Sequence, residues 1–394
     1  MRILHIISTL NPESGGPTES VRILLSFGPI GYTGEVVTLD SPDAPYLKDL
    51  KYPVHALGPQ TSTYGYNAKL VPWLRANRDR FDGIVVNGLW QYCGLSAWRA
   101  IRGHKPYVVF THGMLDPYFK HAFPIKHLKK WFYWLPAEYW VLRGAYRVLF
   151  TCQAEKELAE KSFWLHRWRP HVVPYGAQSP LGDPEGMKEA FFTKCPAVRG
   201  KRYLLYLGRI HRKKGCDLLI DAFVKFAAKD PDLSLVMAGP DQQGWADELK
   251  RPLIAAGLTD RVLWPGLIRG DDKWGAFYGC EAFILPSHQE NFGIAVAEAL
   301  ACGKPALLAD KVNIAPEIQS DGAGYMESDT LAGTEALLQR WLETTPEKRA
   351  AMSKQALVSF KTRYDMRENA KTIIRLFEQF SKENPEEKTL QGAR

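Results

Sequence analysis

The sequence predicts an α/β protein made of two doubly wound, Rossmann-like domains. Short apolar runs recur along it, each leading into a polar loop and separated from the next run by helix-length sequence. That order builds a parallel sheet covered by helices on both faces. The series also occurs twice, on either side of a break containing Pro180, Gly182, Pro184 and Gly186. A chain of 394 residues is long enough for two domains, each burying its own core.

In the first series, Arg2 to Ser8 reads as a buried parallel strand. A loop with Gly15-Gly16-Pro17 follows, then an amphipathic segment beginning near Thr18. Gly83 to Asn87 and Tyr107 to Thr111 repeat the pattern of strand and polar loop. Ligands of such sheets sit beyond the carboxyl ends of the strands, which directs attention to the loops carrying Gly16, Asn87 and His112. After His171-Val172-Val173-Pro174-Tyr175-Gly176 and the break, the second series runs through Tyr203–Gly208, Ser234–Gly239, Val262–Trp264 and Ala282–Leu285. The tail from Asn384 to Arg394 is polar and expected to fray.

The composition, 45% hydrophobic and 24% charged, is that of an ordinary globular protein. Six cysteines (Cys93, Cys152, Cys195, Cys216, Cys280 and Cys302) form no Cys-x-x-Cys pair and have no histidine spacing suited to zinc. They read as buried thiols in a reducing compartment. No stretch supplies the roughly 18 apolar residues of a membrane span, and the apolar start is too short for a signal peptide, so a cytoplasmic location is expected. A net charge of +8 suits nucleic acid, an anionic membrane surface or anionic substrates. No nucleic-acid fold signature is present, which favours the latter two.

The densest chemical signal is Glu290-Asn291-Phe292-Gly293-Ile294-Ala295-Val296-Ala297-Glu298, two carboxylates separated by seven residues, after the apolar run and the turn Pro286-Ser287-His288-Gln289. With residues 292 to 300 helical, the rise of about 1.5 Å per residue sets the carboxylates roughly 10 to 12 Å apart. A retaining glycosidase needs about 5 Å and an inverting one about 6.5 to 9.5 Å. The spacing suits a long ligand held at both ends, and a helix N-terminus between them favours an anionic middle, as in a nucleoside diphosphate sugar. A core helix that happens to carry two glutamates is the plain alternative.

These residues resemble the Glu-x7-Glu signature of the family 4 (group 1) retaining glycosyltransferases. The surroundings match too: Pro286-Ser287 before it, then Glu298-Ala299-Leu300-Ala301-Cys302-Gly303-Lys304-Pro305 and Pro316-Glu317-Ile318. The resemblance implies the GT-B fold, two Rossmann-like domains facing across a cleft. It implies an acceptor-side domain over residues 1–178 and a donor domain over 187–365, with the last helix, about 366–383, crossing back to the first. Expected partners are a nucleotide-sugar donor, which is a substrate, and a saccharide or lipid-linked saccharide acceptor. No metal and no cofactor are expected, and no Asp-x-Asp occurs. Gly113-Met114-Leu115 with Pro117 is similar to transferases of bacterial exopolysaccharide and O-antigen assembly.

Residue by residue, the resemblance gives these expectations. Gly208-Arg209-Ile210-His211-Arg212-Lys213-Lys214-Gly215 crowds four cations into one turn, costly without an anion, and it is similar to the family's pyrophosphate site. Arg209 and Lys214 are carried over, while His211, Arg212 and Lys213 read as the solvated part. Gly15 and Gly16 would lie over the donor phosphates, His112 would face the donor sugar, Glu290 with Asn291, Phe292 and Gly293 would hold sugar hydroxyls, and Glu298 the ribose. Asp116 either orients an acceptor hydroxyl or caps the next helix. Asn87 stands where relatives often have histidine, and Tyr175-Gly176 where many have Asn-Gly. The segment His121 to Arg147 interleaves Lys126, Lys129, Lys130, Arg143 and Arg147 with Trp131, Phe132, Trp134, Tyr139 and Trp140. It suits either a membrane interface or two packed helices with basic outer faces, and Pro136 argues against one continuous helix. A nucleotide-sugar epimerase or a non-catalytic sugar-nucleotide binding protein would share most of these features.

Overall fold

The computed structural model describes residues 1–26, 31–118, 120, 124–173, 175–242 and 244–384. Pro174, residues 121–123 of the basic-aromatic segment and the tail beyond Asn384 lie outside the described residues. The chain forms two compact units, one of Met1–Tyr175 with the C-terminal helix from Met366, the other of Gly176–Asp365.

The first unit holds seven strands: β1 (Arg2–Ile7), β2 (Thr33–Thr38), β3 (Val54–Ala56), β4 (Gly83–Asn87), β5 (Tyr107–Phe110), β6 (Arg147–Phe150) and β7 (Pro170–Val172). All pair in parallel, in the order β3-β2-β1-β4-β5-β6-β7. The second holds β8 (Arg202–Leu207), β9 (Leu233–Ala238), β10 (Val262–Gly266), β11 (Ala282–Leu285), β12 (Ala306–Ala309) and β13 (Gly324–Glu327), ordered β10-β9-β8-β11-β12-β13. In both sheets the order reverses beside the first strand, between β1 and β4 and between β8 and β11. Those are the switch points where a crevice opens beyond the strand ends.

Central strands are apolar on both faces: β4 and β5 are buried throughout, as are β9, β11 and β12. This is why β4, β5, β9 and β11 stand out as continuous apolar runs. Strands β2, β3, β6, β7, β12 and β13 were not singled out in the sequence. Thr33–Thr38 carries Gly34 and Glu35, and Pro170–Val172 is short and begins with proline, so neither reads as a run.

The helix Met366–Glu383 belongs to the first unit. Its Met366, Ala370, Ile373, Leu376 and Phe377 are buried at near-helical spacing. Phe377 fills the space above Gly83, where an added Cβ would lie 2.5 Å from its ring. Tyr146 stacks edge-on against Phe380, with centroids 4.9 Å apart, and donates to Glu383 at 2.9 Å.

The basic-aromatic segment departs from expectation in two respects. Pro124–Tyr133, a π turn over Trp134–Glu138 and Tyr139–Gly144 form one continuous helical run. The wide turn absorbs the missing N–H of Pro136 without ending the helix. Its aromatics are also largely turned inward: Trp134 is fully buried and stacks on Phe163 at 4.1 Å, and Trp131 meets the same ring at 5.0 Å. Lys130 turns in as well, with Nζ 4.3 Å from the Trp90 ring. No helix among the described residues is long and apolar enough to cross a membrane, and all six cysteines are buried free thiols.

Candidate functional site

At the switch point of the second sheet, the loop leaving β8 meets the loop leaving β11. Gly215 has φ 64°, and a Cβ there would lie 2.0 Å from the carbonyl oxygen of Pro286. Only glycine allows both the left-handed backbone and this approach. His288 N–H and Ser287 Oγ donate to the Lys213 carbonyl at 2.9 and 3.0 Å, zipping the two loops together. This brings Lys214 Nζ into a short ion pair with Glu290 Oε2, although 76 residues separate them. Burial pushes the Glu290 carboxyl up, but Lys214 by charge and hydrogen bond, Lys213 by charge and the Asn291 N–H together hold it below its ordinary value. Arg209 leaves the same strand exposed to solvent and pairs with no carboxylate among the described residues.

Arg212, by contrast, pairs with Glu248 at 3.2 Å on the surface and lies over the Trp245 ring. His211 accepts the Lys213 N–H at 3.1 Å as a local cap. The solvated reading of these two residues agrees with that placement.

Glu290 N–H donates to the Lys311 carbonyl at 3.0 Å and its own carbonyl accepts from Asn313 N–H at 3.0 Å, so the loop after β12 braces it. Asn291 Oδ1 lies 3.4 Å from Asn313 Nδ2, and Phe292 packs edge-on against Tyr364 at 5.7 Å. The helix does not start at residue 292. It spans Ile294–Ala301, because Gly293 at φ 77° caps it in a left-handed conformation that a side chain would strain. The helical rise therefore applies to Glu298 alone, and Glu290 sits in the preceding irregular loop. Glu298 is 7% exposed and accepts from Lys273 Nζ at 2.6 Å. Lys273, from the helix Gly270–Gly279, was missed because nothing local in the sequence links it to Glu298.

In the first unit, Gly15 takes φ 96° in open space, and Gly16 begins the helix Gly16–Ser26 directly after it. Pro17 in its first turn has no N–H and Glu19 N–H donates to the Gly15 carbonyl at 3.2 Å, which leaves the N–H groups of Gly16 and Thr18 at that terminus. His112 leaves β5 with φ 48°, unusual for a residue with a side chain. Its Nε2 lies 3.3 Å from Asn87 Oδ1 and its Nδ1 3.4 Å from the Tyr175 hydroxyl. The amide nitrogen of Asn87 faces His5 Nδ1 at 3.4 Å and the carbonyls of Ile6 and Val85 at 3.4 and 3.3 Å. His5 Nε2 continues to the Tyr32 hydroxyl at 2.9 Å. With Asn87 Oδ1 able only to accept, neutral His112 carries its proton on Nε2 and accepts from Tyr175 on Nδ1. Burial, with the nearby His5, lowers His112 to about 3, and burial lowers His5 to about 3.

Two further candidates take their place in the first unit. Asn87 is 4% exposed, with its amide engaged inside the unit beside His112. Asp116 Oδ1 accepts the Tyr118 N–H at 2.8 Å, an Asx-type turn. Glu155 went unnoticed. It is 3% exposed and accepts from Thr111 Oγ1 and Gly113 N at 2.6 Å each, and from Thr151 N and Oγ1 at 2.7 and 2.6 Å. It fastens the His112 loop to the end of β6. The available signal was its place three residues after Cys152, which caps the helix Gln153–Ala159.

Comparison with known proteins agrees with these two units. Residues 187–359 match the family described as glycosyl transferases group 1, and residues 29–176 match the glycosyl transferase 4-like domain. A GDP-mannose:cellobiosyl-diphosphopolyprenol alpha-mannosyltransferase of Komagataeibacter xylinus is 24% identical over 96% of this chain and 93% of its own length. A mannosylfructose-phosphate synthase of Agrobacterium fabrum is 28% identical over 43% of this chain and 38% of its own. For several such relatives the chain spans about half their length or less. Among solved structures, Anabaena Alr3699/HepE in complex with UDP and glucose superposes with a TM-score of 0.74 at 20% identity, over 96% of this chain and 100% of that one. Two parallel Rossmann-like sheets, each matched in sequence by a glycosyltransferase domain, place the chain among the group 1 glycosyltransferases of the GT-B fold.

Proposed function

We propose that the chain transfers a sugar, with retention at its anomeric carbon, from a nucleoside diphosphate sugar to a hydroxyl of a saccharide or lipid-linked saccharide acceptor, in cell-surface polysaccharide or glycolipid assembly. The observation that carries this reading is the Lys214–Glu290 pair, set beside the unpaired Arg209 at the switch point of the second sheet. Two cations and one carboxylate converge there, where a ligand with an anionic diphosphate and neutral hydroxyls uses both. A relative that bears diphosphopolyprenol in its name supports a lipid-linked acceptor, and HepE, which holds UDP and glucose, supports a nucleotide-sugar donor.

Arg209 and Lys214 stabilise the charge that grows on the diphosphate as the bond to the anomeric carbon breaks, aided by the positive end of the helix Ile294–Ala301. Lys214 exchanges its carboxylate partner for phosphate oxygens, which leaves Glu290 free to accept from sugar hydroxyls. Glu298 accepts from the ribose hydroxyls, and Lys273 orients it. In the first unit, the family resemblance assigns His112, neutral and held by Asn87 and Tyr175, and the Gly15-Gly16 loop to the donor. The acceptor oxygen bonds to the anomeric carbon on the face the diphosphate leaves, and its proton passes to the departing phosphate oxygen. No metal and no further cofactor enters this scheme.

A thermal-shift screen of UDP-, GDP-, ADP- and dTDP-sugars tests it, because a ligand that binds only the folded state raises apparent stability. The stabilising donor should then give a product of unchanged anomeric configuration with saccharide acceptors. An epimerised donor formed without acceptor overturns transfer in favour of isomerisation. Binding with neither reaction overturns catalysis.

A further inference from the structure

The helical run from Pro124 to Gly144 turns one lengthwise face to solvent. Ile125, Leu128, Phe132 and Leu135 are 74%, 60%, 77% and 50% exposed, and steps of three, four and three residues set them along one side. Single exposed apolar side chains are ordinary, but four in register on one helix are not. Lys126 and Lys129 stand exposed between them, and Trp140 and Arg143 extend the exposed side toward the end of the run. Trp164, also exposed, has its ring 5.7 Å from that of Trp131.

The opposite face is already committed: His127, Trp131 and Trp134 all pack on Phe163. The only acid between residues 124 and 147 is Glu138, which is fully buried. Exposed charge along the run is therefore entirely positive. A second copy of the chain docked on this face would bring lysines against lysines, whereas an anionic lipid surface offers apolar depth and opposite charge together.

We infer that this face is a docking surface for an anionic bilayer. The run lies in the headgroup plane, with Ile125, Leu128, Phe132 and Leu135 in the acyl boundary and Lys126 and Lys129 against lipid phosphates. The aromatics that suggest a membrane interface in the sequence mostly belong to the core, and the surface is instead an aliphatic stripe with one phenylalanine. Lys130, turned toward Trp90, is not part of it. The inference rests on the lipid-linked acceptor reading for its purpose, while its evidence is independent of the transfer chemistry.

Flotation of the full chain with phosphatidylglycerol-containing vesicles, against pure phosphatidylcholine, tests the surface. Wild type should float with the anionic vesicles at low salt and less at high salt, since the Debye length is only about 10 Å at 0.1 M. The double variant Leu128→Ser, Phe132→Ser should lower the partition constant by about tenfold or more. Lys126→Gln with Lys129→Gln should lower it by about fivefold per charge. None of these residues lies in the candidate site, so nucleotide-sugar stabilisation in the thermal screen should be unchanged in every variant. Absence of wild-type flotation, or equal flotation of wild type and both double variants, overturns the inference. A lipid-independent dimer that the Leu128→Ser, Phe132→Ser variant abolishes also overturns it, and assigns the face to self-association. Failure of donor binding or transfer with flotation intact counts against the proposed function alone.

Discussion

Replacing Glu290 with Gln removes a charge while keeping the shape, and should move nucleotide binding and transfer in opposite directions. Glu290 holds Lys214 in an ion pair, which the diphosphate of the proposed donor has to displace. The two side chains are 21% and 13% exposed, between a surface pair worth less than about 1 kcal/mol and a charged hydrogen bond in the interior worth about 1.5–3 kcal/mol. Releasing Lys214 should therefore tighten binding of the free nucleoside diphosphate by about 1 kcal/mol, roughly fivefold. Transfer loses a charged acceptor for the sugar hydroxyls and should slow by about 10- to 100-fold. Calorimetric titration with the nucleoside diphosphate and single-turnover transfer with the matching donor read the two effects separately. Nucleotide affinity that falls in parallel with turnover would refute the placement of the diphosphate at Lys214.

Arg209→Ala, which removes an exposed cation with no internal partner, should lower turnover by roughly 10²-fold and leave the melting temperature in place; wild-type turnover sinks its assignment. Glu298→Ala should weaken the free nucleoside diphosphate by about tenfold or more, the cost of a lost charged hydrogen bond, and an unchanged dissociation constant would remove the ribose from Glu298. A fourth prediction concerns stability against pH. Burial raises the Glu138 carboxyl to about 8, against the lowering effects of the Trp90 N–H and of Lys130, so the native state holds it neutral while the unfolded chain ionises it from about 4.5 upward. Its contribution is thus full below about 4.5 and is lost as pH rises toward 8, by about 1.4 kcal/mol per unit. Glu138→Gln should gain on wild type across that window, reaching about 3 kcal/mol near pH 7, and a stability difference independent of pH would refute it. His5 and His112 run the other way: with each pKa lowered to about 3, chiefly by burial, stability should fall as pH drops below about 6.5, by up to about 1.4 kcal/mol per unit for each, and His5→Gln should lack the His5 share in pH-dependent denaturant titrations.

The class of fold and the loops that carry the candidate residues were legible before any coordinates. Strands buried on both faces must be apolar throughout, so β1, β4, β5, β8, β9 and β11 could be read from composition alone. Arg209, Lys214, Glu290 and His112 were singled out by their resemblance to the family's motifs, and each lies on a loop that leaves a strand's carboxyl end. Half-buried and edge strands such as β2 and β7 lack that signature. The pairings came from the folded arrangement. Lys214 with Glu290, Lys273 with Glu298, and Glu155 with the Thr111–Gly113 turn join residues that lie 25 to 76 positions apart. Such contacts depend on strand order, which no local periodicity encodes. The same holds for exposure: the wide turn at Trp134–Glu138 and the packing on Phe163 determined that Trp131 and Trp134 face the core while Leu128 and Phe132 face out. A helix's two sides are written in its spacing, but which side finds a partner depends on the rest of the molecule.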